Sequence, residues 1–266
     1  MGYGGRWLEA ARGVLGRIET TQMDAIASAA QLAADAIAAG GMAHLFGTGH
    51  SRIPVEEMFP RYGSYPGFHP MAELSMTFHT QVTGANGQRQ AMFIERTPGL
   101  AEVILSNFVF QPTDVMVVFS ASGTTAVPIE IAMGARERGM PVVAVTAVEH
   151  SMAGPSQHHS GTRLLDHADV VIDLCVPVGD AAVRLDGLDT PVGPLSTVAN
   201  AAIVNEIKVQ AAALLLERDH LPPVITSSAV VGSDRSADLF AGAYAEHARR
   251  LARTLAPDGP DPKATP

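Results

Sequence analysis

Residues 120–125, with the sequence Ser-Ala-Ser-Gly-Thr-Thr, carry the side chains best suited to binding an anion. They follow the apolar run 115–119 and precede residues 126–133, whose apolar spacing predicts a helix. At the start of a helix, the unpaired backbone N–H groups and the helix dipole both favour an anion. Hydroxyl groups can donate to phosphate oxygens, and a glycine lets the backbone approach closely. The residues predicted to hold phosphate here are Ser120, Ser122, Gly123 and Thr125.

This loop contains no lysine, so it is not a Walker-type nucleotide cradle. It predicts a site for a small phosphorylated molecule. The alternative interpretation is an ordinary polar turn in which Ser or Thr caps the following helix.

Two further polar loops follow predicted strands. Residues 47–51 follow a short strand at 42–46, and residues 146–151 follow a later strand. Because the carboxyl ends of parallel strands share one edge of a sheet, the three loops are expected to line one pocket. Such a pocket favours a phosphosugar or a similar ligand. Ser51 would add a hydroxyl group, and His50 could open a sugar ring or polarise a carbonyl, or could serve only as a structural cap.

The order of the predicted elements is typical of an α/β protein. Strand 115–119, helix 126–138 and strand 142–146 form a βαβ unit, and further strands are predicted at 67–71 and 169–176. This order predicts a mainly parallel sheet covered by helices on both faces, which is a three-layer αβα sandwich.

Helical patterning dominates both ends of the chain. Residues 7–39 predict one alanine-rich helical stripe that ends at the two glycines that follow it, and residues 198–217 and 238–255 predict two further helices. The predicted organisation is an N-terminal helical segment 1–40, a main domain 41–230, a C-terminal helix 231–256 and a disordered tail 257–266.

Composition limits the classes of partner and compartment. The 266 residues are 47% hydrophobic, which is enough for a sizeable core, and the net charge of -9 argues against a nucleic-acid partner. The single cysteine, Cys175, excludes an internal disulfide framework and is typical of a reducing compartment. No signal-peptide core and no membrane-spanning apolar run is recognised, so a cytoplasmic protein without a membrane partner is predicted.

Three other polar positions could serve a site. Glu206 lies in an apolar helical segment, where a buried carboxylate needs a partner or takes a raised pKa, although an interface ion pair is an alternative. Ser196 and Thr197 precede the long helix as predicted caps, and Thr197 could also contact a ligand phosphate. The histidines do not follow metal-ligand spacings, so neither a metal nor another cofactor is predicted. Besides His50 and the weaker candidate His150, these include His79, His158, His159 and His220.

Taken together, these loops resemble the SIS (sugar isomerase) domain family, with the match running from about residue 42 to residue 225. The family's Ser-x-Ser-Gly-x-Thr loop stands at 120–125, and its first strand and glycine turn stand at 44–51. The resemblance implies a flavodoxin-like, five-stranded sheet. A closer likeness to bacterial phosphosugar-binding and phosphoheptose-isomerase-like SIS proteins rests on segments 55–59, 148–151, 160–164, 178–180, 192–197 and 222–227.

The resemblance also implies catalytic residues. Glu-Glu-Met-Phe-Pro-Arg at 56–61 is similar to a segment of phosphoheptose isomerases that supplies a catalytic base and a substrate-binding arginine, here Glu57 and Arg61. The alternative is a surface pair at i,i+4 spacing. Glu206 resembles a catalytic glutamate in the isomerase domain of glucosamine-6-phosphate synthase. The catalytic histidine of phosphoheptose isomerases, seven residues further on, is Ala213 here.

Three functions therefore stay open. The favoured one is base-catalysed removal of the C2 proton from an N-acetylhexosamine or hexose 6-phosphate with loss of the C3 oxygen, a dehydratase or lyase reaction of amino-sugar metabolism. An aldose–ketose isomerase and a non-catalytic sugar-phosphate sensor are the alternatives. The apolar surfaces of the helical segments predict a homodimer or homotetramer, and the family resemblance implies active sites shared between subunits.

Overall fold

The structure, a computed structural model, describes residues 2–77 and 87–255. The main sheet contains β1 (Ala43–Gly47), β2 (Phe68–Met71), β3 (Val115–Phe119), β4 (Val142–Thr146) and β5 (Val170–Asp173). All its strands are parallel, in the order β2-β1-β3-β4-β5. This is the flavodoxin-like order, so the predicted α/β class and five-stranded sheet are confirmed. An antiparallel pair, β6 (Ala181–Val183) and β7 (Val192–Pro194), lies outside the main sheet.

Helices cover both faces of the sheet. They are α1 (Arg6–Thr21), α2 (Met23–Ala38), α3 (Ile53–Met58), α4 (Gly87–Ile94), α5 (Leu100–Leu105), α6 (Ala126–Glu137), α7 (Val148–Met152), α8 (Ser196–Glu217), α9 (Ser228–Val231) and α10 (Ser233–Leu255). Short 3₁₀ turns occupy Gly49–Arg52, Leu74–Met76 and Leu164–His167.

The two cores follow from the alternation of side chains along the strands. In β3, Val115, Val117 and Phe119 point into the core formed with α1, α2 and α8. Met116 and Val118 point into the opposite core, formed with α5 and α6. Both sets are almost completely buried, as the period of two in a doubly covered sheet requires. The predicted αβα sandwich is therefore confirmed.

The N-terminal helical stripe is broken where the sequence predicted one continuous element. Gln22 separates α1 from α2 with φ of -113° and ψ of -3°. Its side-chain carbonyl accepts a hydrogen bond of 2.9 Å from the backbone N–H of Asp173, at the end of β5. This tertiary contact fixes the chain at Gln22, which helix periodicity alone does not reveal. The predicted tail 257–266 and His79 lie outside the described residues.

Helix α8 is long and apolar enough to span a membrane by length and composition alone, which the sequence analysis did not anticipate. In the structure it packs against α1, α2 and α3 as a core helix. Its outward side still exposes Val209 and Leu216, so it is apolar on both sides. Its buried face consists of Ile203, Val204, Ile207, Ala211 and Leu215.

A buried polar cluster joins the amino ends of three strands. Asp114 accepts backbone hydrogen bonds from Met42 (2.8 Å) and Gln111 (2.7 Å), and its Oδ2 lies 3.0 Å from His44 Nε2. His44 Nδ1 lies 2.8 Å from Nδ1 of His69, on β2. Burial opposes ionisation of Asp114, but His44 and the two backbone N–H groups outweigh it and lower its pKa. Asp114 therefore ties β1 to β3 as a buried, ionised acceptor.

We expect Asp114→Asn to lower the free energy of unfolding at pH 7 by about 1–3 kcal/mol, because an amide NH₂ cannot accept the bonds that the carboxylate accepts. Urea unfolding followed by circular dichroism measures this change. Asp189→Asn, at an exposed position, is the matched control and is expected to change stability by less than about 0.5 kcal/mol. Equal effects of the two substitutions would contradict the role assigned to Asp114.

Candidate functional site

A cavity of about 340 Å³ opens at the carboxyl edge of the sheet, beside β1 and β3. At this point the strand order reverses, since β1 has β2 on one side and β3 on the other. In open α/β sheets, ligands bind at such a switch point. The cavity is lined by residues 48–51 and 120–122, by parts of α4 and by the start of α8, together with Ala147, His150, Val176, Pro177, Gly179 and Asp180.

A larger cavity of about 530 Å³ lies at the opposite end of the sheet, beside Asp114 and Arg250. The loops that follow the parallel strands do not reach it, because they leave from the other edge. The three polar loops predicted from the sequence instead converge on the carboxyl-edge cavity. We therefore assign the candidate site to the smaller cavity, on the grounds of topology and of the side chains that line it.

The hydroxyl loop, residues 120–125, turns its carbonyl groups away from the cavity. The carbonyls of Ala121, Gly123 and Thr124 accept backbone hydrogen bonds of 3.1, 2.8 and 3.0 Å from neighbouring segments. Ser120 Oγ accepts the N–H of Gly123 at 3.1 Å, which closes the turn before α6. Because its carbonyls are held elsewhere, the loop presents hydroxyl groups to the cavity, as an anion site requires. Ser120 and Ser122 line the cavity directly.

Gly123 allows the backbone conformation of this loop. Its φ is +61°, in the left-handed region, and a Cβ there would lie 2.8 Å from Thr146 Oγ1. Neither Gly123 nor Thr125 is among the described residues that line the cavity. Thr125 is buried with extended backbone as the residue before α6. These two residues of the loop therefore lie outside the described lining, where they shape the turn before α6.

The turn after β1 depends on a second glycine. A Cβ on Gly47 would collide with the backbone carbonyl of Ser51, so a larger residue would prevent the 3₁₀ turn Gly49–Arg52 from folding back. This turn brings His50 and Ser51 to the cavity, as predicted from the sequence. It also positions Thr48, whose Oγ1 donates a hydrogen bond of 2.5 Å to Glu95 Oε2.

Glu95 is the carboxylate that the sequence analysis missed. It follows α4 directly, lines the cavity, and is held by a 2.9 Å hydrogen bond from the N–H of Val127 in α6 to its backbone carbonyl. Burial raises the pKa of its carboxyl group, although the Thr48 hydrogen bond and the charge of Arg96 act in the opposite direction. A carboxylate with a raised pKa at a cavity is a candidate general base. The one feature of the sequence that could have drawn attention to Glu95 is its i,i+4 spacing from Ala91, an apolar residue that is buried in the structure.

His150 has a defined tautomer. Its Nδ1 accepts a hydrogen bond of 2.9 Å from the backbone N–H of Gly179, so a neutral ring carries its proton on Nε2. His150 and His50 both line the cavity. The cavity therefore combines the half-buried carboxylates of Glu95 and Asp180 with two imidazoles, which is a set suited to acid–base chemistry.

Asp180 caps the start of α8. Its Oδ1 accepts the N–H groups of Leu195 (3.0 Å) and Ser196 (2.7 Å), and its Oδ2 accepts the Ser196 hydroxyl at 2.6 Å. The expectation that Ser196 and Thr197 precede the helix as caps is therefore wrong, because α8 begins at Ser196 and the cap comes from a distant residue. Thr197 nevertheless lines the cavity, in the place predicted for a phosphate contact.

The structure does not bring Glu57 and Arg61 to this cavity, as far as the described residues define its lining. Glu57 Oε2 pairs with Arg61 Nη1 at 2.8 Å, and its Oε1 accepts from Asn205 at 3.3 Å. Burial opposes ionisation of Glu57, but Asn205, Lys208 and Arg61 outweigh it and lower its pKa. This arrangement is the i,i+4 pair that was the alternative interpretation, extended by contacts with α8.

Glu206 also lies away from the described lining of the cavity. It is half-buried on α8, and its Oε1 accepts a hydrogen bond of 2.9 Å from Gln210, one turn further on. It thus has a helical neighbour as its partner within one chain.

Comparison with known proteins identifies relatives that cover most of the chain. The profile of the SIS domain family matches residues 6–147. A UPF0309 protein of Streptomyces avermitilis is 35% identical over 85% of this chain and 89% of the relative, and one of Geobacillus kaustophilus is 34% identical over 80% and 82%. A phosphoheptose isomerase from Francisella tularensis has a similar structure, with a TM-score of 0.50 and 15% identity over 78% of this chain and 95% of the other. At that identity the likeness shows the fold alone.

We expect Gly123→Ala to destabilise the protein more than Gly139→Ala. Gly139 has a similar φ of +79°, but a Cβ there would meet no described atom within 4 Å, so its substitution measures backbone strain alone, at about 1–2 kcal/mol. Gly123→Ala adds the collision with Thr146, at about 1–3 kcal/mol more. Urea unfolding of both variants gives the difference, and equal costs would show that close packing at Gly123 does not constrain the loop.

Proposed function

Because the chain belongs to the SIS domain family, we propose that it is a phosphosugar-processing enzyme that acts in the cavity at the carboxyl edge of the sheet. The observation that carries this proposal is the half-buried carboxyl group of Glu95, whose pKa is raised by burial, in a cavity lined by the hydroxyl loop. A sensor needs the hydroxyl loop, but it has no need for a base with a raised pKa.

In this proposal, the phosphate group is held without a cationic side chain. Neither lysine nor arginine is among the described residues that line the cavity. Ser51, Ser120, Ser122 and Thr197 supply hydroxyl donors, and the start of α6 supplies the positive end of a helix dipole. Such a site suits a phosphate monoester on a small, otherwise neutral molecule. A hexose or N-acetylhexosamine 6-phosphate has this chemistry.

Glu95 then acts as the base in an aldose–ketose isomerisation. Its carboxylate removes the proton from C2 of the open-chain aldose, and the electron pair of that C–H bond forms an enediolate. The Nε2–H of His150 donates a hydrogen bond to the sugar oxygen on which charge develops. The protonated Glu95 carboxyl group can exchange its proton with solvent, and it then delivers a proton to C1, which, with transfer of the hydroxyl proton from O2 to O1, gives the ketose. The step needs neither an oxidant nor a reductant.

Elimination is the second candidate, and the second imidazole favours it. From the same C2 carbanion, loss of the C3 oxygen requires an acid beside the leaving group, and His50 lies in the turn next to Ser51. The sequence analysis favoured this route and named Glu57 and Glu206 as candidate catalytic residues. Within the described part of the chain, however, Glu57 and Glu206 lie outside the cavity lining, so isomerisation uses the available groups more simply.

We also propose that the enzyme is a homodimer or homotetramer. The outward side of α8 exposes 66% of Val209 and 68% of Leu216, and Ala213 lies between them on the same side. A second copy of α8 would cover this apolar surface. Glu206, one turn before Val209, would then lie at the interface, where it could reach a shared site.

We expect the enzyme to incorporate deuterium at C1 or C2 of a sugar 6-phosphate in D₂O, as followed by NMR. The panel consists of the 6-phosphates of fructose, glucosamine, N-acetylglucosamine and N-acetylmuramic acid, with sedoheptulose 7-phosphate. Glu95→Gln is expected to reduce exchange by about 10²–10⁴-fold, because an amide cannot take the proton. Glu57→Gln is the matched control and should keep it.

Each outcome of this experiment has a distinct meaning. Exchange with a new ketose or aldose supports the isomerase, whereas loss of the C3 substituent with a new vinyl signal supports the lyase. Shifted ligand resonances without exchange on any member of the panel would favour the sensor. Full activity of Glu95→Gln would overturn the assignment of the base.

We expect Thr48→Val to move the acid limb of the pH profile of kcat/KM to higher pH. The hydrogen bond from Thr48 stabilises the ionised form of Glu95 and lowers its pKa. When this bond is lost, only the charge of Arg96 opposes the effect of burial, so the pKa of Glu95 rises. Since the base must be ionised, activity of the wild type should fall as pH decreases through a pKa above the ordinary value of about 4.3, and that of the variant at a higher pH. An unchanged acid limb would separate Glu95 from the proton-transfer step.

A further inference from the structure

Three potential metal ligands meet behind the hydroxyl loop, outside the cavity lining. They are Glu130, on the second turn of α6, and the neighbouring His158 and His159, in the segment that follows α7. One ligand atom from each lies within 4.8 Å of the others. The sequence does not reveal this cluster, because the two histidines do not stand at a metal-ligand spacing from another pair of ligands. The third donor, Glu130, lies 28 residues before His158, on α6.

The spacing of the two buried donors suits a tetrahedral ion. His158 Nε2 lies 3.2 Å from Glu130 Oε1. With metal–ligand bonds of about 2.0–2.1 Å, two ligands of a tetrahedral zinc ion lie about 3.3–3.4 Å apart. An ion could therefore replace the hydrogen bond between these atoms with a shift of a few tenths of an ångström.

Each buried donor is also oriented through its other polar atom. His158 Nδ1 lies 2.7 Å from Ser160 Oγ, which can either donate or accept. In the tautomer that leaves Nε2 for a metal, the Ser160 hydroxyl oxygen can therefore accept a hydrogen bond from the Nδ1–H of His158. Glu130 Oε2 accepts a hydrogen bond of 2.8 Å from the N–H of Gly99. Metal ligands are characteristically held in this way.

One side of this cluster is shielded from solvent, and the other side is open to it. The His158 side chain is 1% exposed and that of Glu130 is 16% exposed, whereas His159 lies at the surface. An ion could enter beside His159 and keep a water molecule in its fourth position.

We propose that Glu130, His158 and His159 form a site for a divalent transition-metal ion, with Zn²⁺ as the best fit. Two imidazoles and one carboxylate are donors that zinc accepts, whereas Mg²⁺ and Ca²⁺ prefer oxygen ligands alone. The site is separate from the cavity and is independent of the proposed reaction.

The metal would brace the hydroxyl loop through Gln157, the residue before His158. The N–H of Gln157 donates to the carbonyl of Thr124 at 3.0 Å, within the hydroxyl loop. Its Oε1 accepts a hydrogen bond of 2.9 Å from Nε of Arg96, the neighbour of Glu95. An ion that fixes His158 and His159 to α6 would fix Gln157 between these two contacts. The role assigned to the metal is therefore structural.

The test is titration of the untagged, full-length protein with Zn²⁺ in isothermal calorimetry, with Mg²⁺ as the comparison ion. We expect one Zn²⁺ per chain, a higher Tm with Zn²⁺, and binding at least tenfold weaker in His159→Ala. His159 is exposed, so this variant should fold normally. His220→Ala, another exposed histidine, is the matched control and should bind as the wild type does.

Other outcomes would overturn the proposal. These are the absence of Zn²⁺ binding, equal affinity in the wild type and His159→Ala, and equal binding of Mg²⁺. Zn²⁺ binding that is lost in Glu95→Gln would place the ion in the cavity instead, and would also overturn it. Because binding is measured without a sugar phosphate, the result does not depend on whether the proposed reaction is correct.

Discussion

The close backbone approach beside β1 and β3 is the constraint on which the rest of the site depends. Gly47 lets the turn after β1 fold back onto Ser51, and Gly123 lets the hydroxyl loop lie against Thr146. A Cβ at either position would push the two loops apart. Because both loops stay close to the sheet edge, their hydroxyl groups and His50 face one cavity. The proposed anion site is thus a consequence of backbone packing, to which side-chain chemistry is added.

Helix α6 connects the separate parts of this arrangement. Its start follows the hydroxyl loop, its Val127 N–H holds the carbonyl of Glu95, and its Glu130 faces His158. One rigid element therefore sets the relative positions of the anion site, the proposed base and the proposed metal. This arrangement also accounts for the proposed binding of an anion by a chain with a net charge of -9 and no cationic side chain in the described lining, since the helix that follows the hydroxyl loop presents the positive end of its dipole to the loop.

Much of the fold and part of the site could be predicted from the sequence. Continuous apolar runs identified the parallel strands, and the polar loops after them located the cavity, because strand ends share an edge. Glu95 could not be found in this way, since its significance comes from Thr48, 47 residues earlier, and from burial that only the fold creates. Glu57 is the opposite case, because the sequence offered two interpretations of it, a catalytic base and an i,i+4 pair. The i,i+4 spacing correctly paired Glu57 with Arg61, but it could not show that Asn205 and Lys208 of α8 also contact the Glu57 carboxylate.

The distribution of titratable groups bears on the choice between the two proposed reactions. The histidine that phosphoheptose isomerases carry on the long helix corresponds to Ala213, and the imidazoles at this cavity come instead from loops, at His50 and His150. His150 has its Nδ1 occupied by the N–H of Gly179, so its neutral ring carries the proton on Nε2, where it is a hydrogen-bond donor and not a base. Asp180 is occupied by the start of α8. Among the described lining groups, Glu95 is then the carboxylate available both to take the proton and to return it. Isomerisation needs only a single base that moves a proton between adjacent carbons, whereas elimination also needs an acid beside the leaving group. Of the two proposed reactions, isomerisation therefore needs fewer catalytic groups in the cavity.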